Sequence, residues 1–111
     1  MTTDEFRALA LSFPETEESS HMDHPDFRVG GKIFATIAPD GRRGMAKLTP
    51  DQQEVILRIA PAVFDPASGA WGRKGATMIE LADAAEDDVR HALSAAWSNT
   101  AAKKIREKYD L

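Results

Sequence analysis

The sequence predicts an α+β fold, a single two-layer domain in which helices pack against an antiparallel sheet. Short segments of alternating apolar residues are separated by Gly- and Pro-containing turns, which is typical of strands joined by hairpins. Other segments repeat apolar residues every three or four positions, which is typical of amphipathic helices. The predicted order is a helix, three strands, a helix, one or two strands and a helix. Residues 1–111 are expected to form one domain, because a chain of this length holds a single core.

The first predicted element is a helix that ends at Pro14. Its apolar residues stand at i, i+3, i+4 and i+7: Phe6, Leu9, Ala10 and Phe13. A threonine at position 2 or 3 can cap its start. Residues 15–22 are acidic and serine-rich, and they are predicted to form a loop or an edge strand, since charge discourages exposed strands from pairing.

The next segment predicts a meander of three strands. Gly30-Gly31 separates residues 27–29 from residues 32–37, and two glycines supply the positive φ that a two-residue hairpin turn needs. Pro39-Asp40-Gly41 is a second turn signal, after which residues 42–48 return as the third strand.

A second helix is predicted to begin at Thr49, with Pro50 at its first position and Gln52 completing a capping box. Pro61 ends it. Its predicted buried residues are Val55, Ile56 and Ile59.

Beyond a turn at residues 72–75, one strand and a last helix are predicted. Thr77, Ile79 and Leu81 alternate as in a strand. The segment from Asp83 to Glu86 resembles a capping box. Residues 98–100 are expected to break the helix before a basic C-terminal turn or short helix. The buried face of this helix comprises Val89, Ala92, Leu93, Ala96 and Trp97.

Composition excludes several classes of protein. Without cysteine there is no disulfide, thiolate metal site or cysteine nucleophile. There is no apolar run of about 18 residues, which excludes a membrane-spanning helix, and the N-terminal residues lack the features of a signal peptide. We therefore expect a cytoplasmic protein with no membrane partner.

The net charge of −4 is unevenly distributed. Residues 1–27 carry seven acids and one base, whereas residues 28–48 carry five bases and one acid. Residues 101–111 are also basic. An acidic protein can thus carry a local positive surface, although most charged runs are simply solvated.

No complete catalytic or metal-binding motif is present. His21, Asp23 and His24 are common metal ligands, but on a strand His24 would point away from the other two. An exposed loop is the preferred interpretation, and a metal site is a weaker alternative. The serines lack a Gly-x-Ser-x-Gly motif, and the glycines match neither a dinucleotide nor a phosphate-binding fingerprint. We expect no enzyme activity, cofactor or metal.

The central hairpin predicts a binding surface. Alternation places Ile33, Ala35 and Ile37 on one face. The other face would carry Lys32, Phe34, Thr36, Arg43, Met45 and Lys47. Cations beside an aromatic ring suit phosphate contact and base stacking. The alternatives are an ordinary solvated face, or a face covered by a terminal helix with Phe34 and Met45 buried.

The segment Trp71-Gly72-Arg73-Lys74-Gly75 presents two adjacent cations beside an indole. It is interpreted either as a hairpin tip that enters a groove or as a turn whose Trp71 fills the core. The second interpretation is preferred for Trp71, because tryptophan is usually well buried.

Several ordered segments carry a family resemblance: His24-Pro25-x-Phe27-Arg28, Gly31-Lys32-Ile33-Phe34-Ala35, residues 69–75, the opening residues 9–18 and the aromatic Trp97. This set resembles the MmcQ/YjbR family of small bacterial proteins. The resemblance implies helices on a curved antiparallel sheet, related to the double-wing arrangement of certain DNA-binding domains. It also implies DNA binding and supplies no catalytic residues.

The first hypothesis is a non-enzymatic DNA-binding or regulatory domain. It would bind double-stranded DNA through six cations: Lys32, Arg42, Arg43, Lys47, Arg73 and Lys74. The alternative is a protein- or peptide-interaction module whose surface comprises Phe34, Met45 and Trp71. A monomer is favoured over an oligomer.

Overall fold

The computed structural model describes residues 1–109. Its helices are α1 (Thr3–Leu11), α2 (Pro50–Ile59), α3 (Gly69–Arg73), α4 (Glu86–Thr100) and α5 (Lys103–Tyr109), with a short 3₁₀ helix at Leu81–Asp83. Its strands are β1 (Thr16–His21), β2 (His24–Val29), β3 (Lys32–Ile37), β4 (Arg43–Lys47), β5 (Phe64–Pro66) and β6 (Ala76–Glu80). The predicted α+β fold is confirmed. No helix within residues 1–109 is long and apolar enough to cross a membrane.

The strands form one six-stranded antiparallel sheet in the order β1-β2-β3-β4-β6-β5. The first four strands are consecutive, and the predicted meander is preceded by β1. Of the two alternatives for the acidic segment, the edge strand is confirmed, because this segment pairs with β2 along its whole length. Gly30 and Gly31 have φ angles of 58° and 79°, which confirms the predicted hairpin turn.

Helices α1 and α4 cover one face of the sheet and enclose the core. Phe6 of α1 meets Phe27 of β2 edge to face, with ring centroids 6.1 Å apart. Its ring also lies directly on Gly44 of β4, where a Cβ atom would be 2.7 Å away. Trp97 of α4 is fully buried, and its Nε1 donates to Pro14 O at 3.0 Å. These interactions fix both helices on the same face.

A β-bulge in β3 changes two predicted side-chain directions: Phe34 lies in the core, and Ile33, predicted on the core face, lies on the opposite face. Phe27 pairs with Ala35, but the next residue, Arg28, pairs with Ile33, so Phe34 is the extra residue of β3. Phe34 therefore lies in the core with no exposed surface. Its predicted place beside Lys32 and Thr36 on the outer face is wrong, because simple alternation fails across the bulge.

Both predicted N-caps of the first two helices are confirmed. The hydroxyl of Thr2 accepts from Glu5 N, and that of Thr49 accepts from Gln52 N. In return, the side chains of Glu5 and Gln52 accept from the backbone N–H of Thr2 and Thr49, which completes a capping box at each helix. The predicted box at Asp83 is wrong: Asp83 ends the 3₁₀ helix, and α4 has Ala85 as N-cap without a side-chain bond. Helix α4 continues through the predicted break at residues 98–100 and ends at Thr100. The short basic helix predicted after the break is α5.

The buried face of α2 differs from the prediction. Ile56 is buried as expected, but Val55 and Ile59 are 55% and 61% exposed, and the second buried residue is Gln53. Gln53 Nε2 donates to Gly72 O, Ala76 O and Thr77 Oγ1 at 3.0–3.2 Å. A buried amide thus replaces an apolar side chain because α2 packs against backbone carbonyls at the end of the sheet.

Candidate functional site

The sheet face opposite α1 and α4 holds a cleft of about 860 Å³ that continues past the ends of β3 and β4. Thr36 and Met45 form its floor, where they pair directly across β3 and β4 and are 7% and 9% exposed. Segments from the sheet, α2, α3 and α4 supply the lining: His21, Arg28, Gly31, Lys32, Ile33, Thr36, Met45, Lys47, Leu48, Thr49, Pro50, Trp71, Lys74, Ala76, Asn99 and Thr100.

The lining of the cleft is cationic. Arg28, Lys32, Lys47 and Lys74 contribute to it, and among residues 1–109 no aspartate or glutamate does. Within the same described range, none of the three lysines lies in ion-pair distance of a carboxylate. Glu17 of β1 is the register partner of Arg28 but does not line the cleft. A protein with a net charge of −4 therefore carries a concentrated positive surface here.

A buried carboxylate holds Arg28 in place. Asp26 has no exposed surface and accepts from Arg28 Nε at 2.8 Å and from Arg28 Nη2 at 3.0 Å. His21 Nδ1 donates to the same carboxylate at 2.8 Å. The hydrogen bonds from Arg28, more than the one from His21, lower the pKa of Asp26, although burial opposes them. Arg28 uses two of its five N–H donors in this pair and keeps three for a ligand.

The two histidines lie side by side across a hairpin. His21 and His24 are paired in register with ring centroids 4.3 Å apart, and Met22 and Asp23 form the turn with positive φ. His24 Nδ1 donates to Ile37 O at 3.0 Å. The prediction that His21 and Asp23 share a strand face is wrong, because Asp23 belongs to the turn. Within residues 1–109 no three potential ligands converge as in a metal site.

Trp71 lies on α3 at the margin of the cleft with 67% of its surface exposed. The preferred interpretation of Trp71 as a core residue is wrong. The predicted five-residue turn is instead the end of a short helix, which continues into β6 through Lys74 and Gly75.

Two glycines permit the close packing of α3. A Cβ atom on Gly72 would lie 1.7 Å from Ala67 O, and one on Gly75 would lie 2.0 Å from Leu48 O. Gly75 also has a φ of 112°, which other residues rarely adopt. The hydrogen bonds of Gln53 to Gly72 O and Ala76 O secure the same segment from the α2 side. Trp71 and Lys74 are therefore carried by a tightly fixed backbone.

The far end of the cleft is formed by the last turn of α4. Asn99 Nδ2 donates to Lys47 O at 3.1 Å and to Gln52 Oε1 at 2.7 Å, and Thr100 follows it in the lining. Asn99 thus links α4 to the end of β4, at Lys47, and to the start of α2, at Gln52.

The structure brings together some of the predicted site residues and separates others. Lys32, Met45, Lys47, Trp71 and Lys74 line one cleft. Arg42 and Arg73 are exposed but lie outside its lining, as does Arg43, and Phe34 is in the core.

Arg43 is engaged in a local ion pair. Its Nε donates to Asp40 Oδ2 at 2.8 Å, and Asp40 also accepts from the backbone N–H groups of Arg42 and Arg43. These bonds, that to Arg42 N first, lower the pKa of Asp40 to about 2.

Sequence reasoning missed Arg28 and His21 as members of the site. The signal was present, since Asp26 and Arg28 are two residues apart and strand residues at that spacing share a face.

A smaller groove of about 280 Å³ lies between α2 and α4. The exposed side chains of Val55 and Ile59 line it together with His91, Ala92 and Ala95. It is more apolar than the cationic cleft and lies apart from Trp71.

Fold and cleft together define a class of protein: a small α+β domain whose helices cover one face of an antiparallel sheet, leaving a cationic cleft on the other. The YjbR family model matches residues 11–99. The chain belongs to the YjbR family, as the resemblance in sequence indicated.

A solved structure with the same fold is that of Deinococcus radiodurans protein DR2400, described as containing the family-model domain DUF419. The two chains are 20% identical with a TM-score of 0.75, over 99% of this chain and 88% of that one. At this identity the likeness shows the fold alone. No curated protein matches in sequence.

Proposed function

We propose that this protein is a non-enzymatic DNA-binding domain that contacts phosphates through the cationic cleft. The observation that carries the proposal is the lining itself: Lys32, Lys47 and Lys74, which have no ion-pair partner among residues 1–109, line one concavity together with Arg28, whose charge is paired with the buried Asp26. No described carboxylate contributes to that lining. Charge of one sign in a concave surface concentrates the field and attracts polyanions. The acidic remainder of the protein makes this surface the favourable place for a phosphate backbone.

The polar groups of the cleft suit phosphate binding because they are hydrogen-bond donors as well as positive charges. The three free N–H donors of Arg28 can form paired hydrogen bonds to phosphate oxygens. Lysines supply mobile point charges, and the hydroxyl groups of Thr49 and Thr100 also line the cleft. Thr36 and Met45 on the floor leave the centre without a competing charge.

Fluorescence anisotropy with a labelled duplex of about 20 base pairs tests the proposal. Binding is expected at about 50 mM salt and should weaken steeply toward about 200 mM. A triple variant with Lys32, Lys47 and Lys74 replaced by Ala should lower the slope of log K against log salt by about 0.9 for each phosphate that the variant no longer neutralises. Absence of binding by the unaltered protein at low salt, to the duplex and to a single strand of the same length alike, would refute the proposal.

A matched control removes three exposed cations from outside the cleft: Arg42, Arg73 and Lys104. The change in net charge is identical, so a general electrostatic effect would weaken both variants equally. The proposal requires that the control variant retain most of the affinity and the salt slope.

A second candidate function is protein interaction through the α2–α4 groove. It is favoured by the exposure of Val55 and Ile59, since exposed apolar residues that line a groove are typical of docking surfaces. Replacing both by Ser should abolish such an interaction in a pull-down assay while DNA binding is unchanged. Loss of DNA binding in this variant would instead contradict the assignment of the cleft.

A further inference from the structure

The exposed indole of Trp71 is the least expected feature of the cleft. Tryptophan carries the largest apolar surface of any side chain, yet this one is 67% exposed, whereas Trp97 is fully buried. It lines the cleft, as do Pro50 and Lys74. A ring in that position offers a flat apolar surface to whatever enters the cleft.

The backbone beneath Trp71 is fixed before any ligand arrives. Gly72 packs onto Ala67, Lys74 N donates to Ala70 O at 3.1 Å, and Gln53 holds Gly72 O at 3.1 Å. The side chain of Gln53 is itself nearly buried. A ring carried on such a segment loses little conformational freedom on binding, which favours its use as a binding group.

Two cations of the cleft lining, Lys74 and Lys47, complete the arrangement. Lys74 follows Trp71 by one helical turn, and Lys47 pairs in register with Ala76 just beyond it. An aromatic ring with flanking cations in a groove is the combination that binds single strands, where bases stack on the ring and phosphates meet the cations.

We infer that the cleft binds single-stranded DNA in preference to duplex, with an unpaired base stacked on Trp71. The inference rests on the DNA binding proposed above and specifies its substrate. In a duplex the faces of the bases are covered by their neighbours, so an indole can stack on a base only where the strand is unpaired. A concavity of about 860 Å³ also suits a short stretch of one strand, since clefts of this size enclose small ligands.

Intrinsic fluorescence reports on this stacking directly, because the two tryptophans differ so strongly in exposure. We would titrate the protein with an oligothymidylate of about 12 nucleotides and, separately, with a duplex. Single-stranded DNA should quench the exposed, red-shifted part of the emission. In Trp71→Phe the remaining signal comes from Trp97, and quenching should disappear while binding, followed by anisotropy, is largely retained.

Trp71→Ala provides the quantitative test. Affinity for oligothymidylate should fall roughly 10-fold to 100-fold, while affinity for duplex DNA should change less than about 3-fold. Circular dichroism should show an unchanged melting midpoint, since most of the side chain is exposed. Polyglutamate at equal charge serves as competitor and should displace the oligonucleotide poorly.

The outcomes separate the two proposals. If neither form of DNA binds at low salt, the proposed function fails. If duplex binds as tightly as single strands and Trp71→Ala weakens neither, DNA binding stands and the preference for unpaired bases is wrong. If polyglutamate competes as well as oligothymidylate, the cleft recognises negative charge alone and base stacking is excluded.

Discussion

Replacing Asp26 with Asn tests whether the buried carboxylate fixes Arg28 in the lining of the cleft. Asp26 has no exposed surface and accepts three hydrogen bonds, two from Arg28 and one from His21. Asparagine has nearly the same shape, but it offers one acceptor oxygen and turns an NH₂ group toward a donor. The substitution therefore removes the charge and creates a donor facing a donor, without opening a cavity.

The expected loss of stability follows from burial and pairing. Removing one member of a buried ion pair costs about 3–5 kcal/mol. Arg28 is 28% exposed and can turn to water, so we expect about 2–3 kcal/mol in the free energy of unfolding. For a chain of this size that is a decrease in Tm of roughly 10 °C. Urea denaturation followed by circular dichroism gives the value.

Asp40 supplies a matched control. It also accepts from an arginine and from two backbone N–H groups, but its side chain is 29% exposed. Asp40→Asn should cost no more than about 1 kcal/mol, although the pKa of Asp40 is lowered to about 2, because solvent screens this partly exposed pair and asparagine can accept the same backbone N–H groups in the turn. A loss below about 1 kcal/mol for Asp26→Asn, equal to that of the control, would refute the assigned role of Asp26.

The pH dependence provides a second readout. The pKa of Asp26 is lowered below its ordinary value of 3.8 in the folded state, chiefly by the hydrogen bonds from Arg28. Its contribution to stability is therefore present above about pH 4 and is lost as the pH falls through the lower, folded-state pKa. Asp26→Asn should flatten the decline in stability below about pH 4, and a retained slope would count against the pair.

Three further substitutions have expected outcomes in the same denaturation assay. Phe34→Ala should cost about 3–5 kcal/mol because the bulge places this ring in the core; a loss below about 1 kcal/mol would support the outer-face assignment. Gly75→Ala should cost more than about 2 kcal/mol, since the new Cβ would meet Leu48 O at 2.0 Å at a φ of 112°, and an unchanged midpoint would contradict this packing. Gln53→Leu should cost about 1–3 kcal/mol because the hydrogen bonds to Gly72 O and Ala76 O are removed, whereas a stabilised variant would show that the amide is dispensable.

The features that sequence predicted well are those set by neighbouring residues. The Gly30-Gly31 turn, the threonine cap of α1 and the capping box at Thr49 depend on a few adjacent positions, and the structure contains each of them. The Asp83 box failed although its residues were suitable, because the chain after β6 first enters a 3₁₀ turn. Local chemistry permits a cap, but the path of the chain decides whether a helix starts there.

The errors arose where distant segments determine a side chain's surroundings. The bulge at Phe34 results from the register between β2 and β3, which alternation within one strand does not reveal. Trp71 is exposed because α3 packs through its glycines and through Gln53, so its largest side chain is directed away from the core.

Sequence predicted several residues of the candidate site but not their spatial arrangement. Lys32, Lys47 and Lys74 converge because β3, β4 and α3 meet at one end of the sheet, a relation that depends on the order of the strands. The ion pair between Arg43 and Asp40, which keeps Arg43 out of the cleft lining, could have been inferred, since the two residues lie three positions apart across a turn.

The outermost strands of the sheet have a consequence for self-association. β1 presents Glu17 and Glu18 along an exposed rim, and β5 has only three residues, the last of them Pro66, which lacks a backbone N–H. Neither rim offers the long, uncharged row of hydrogen-bonding groups on which another strand could assemble. The sheet is thereby protected from growth into polymers, even though its broad, cationic face stays open to solvent.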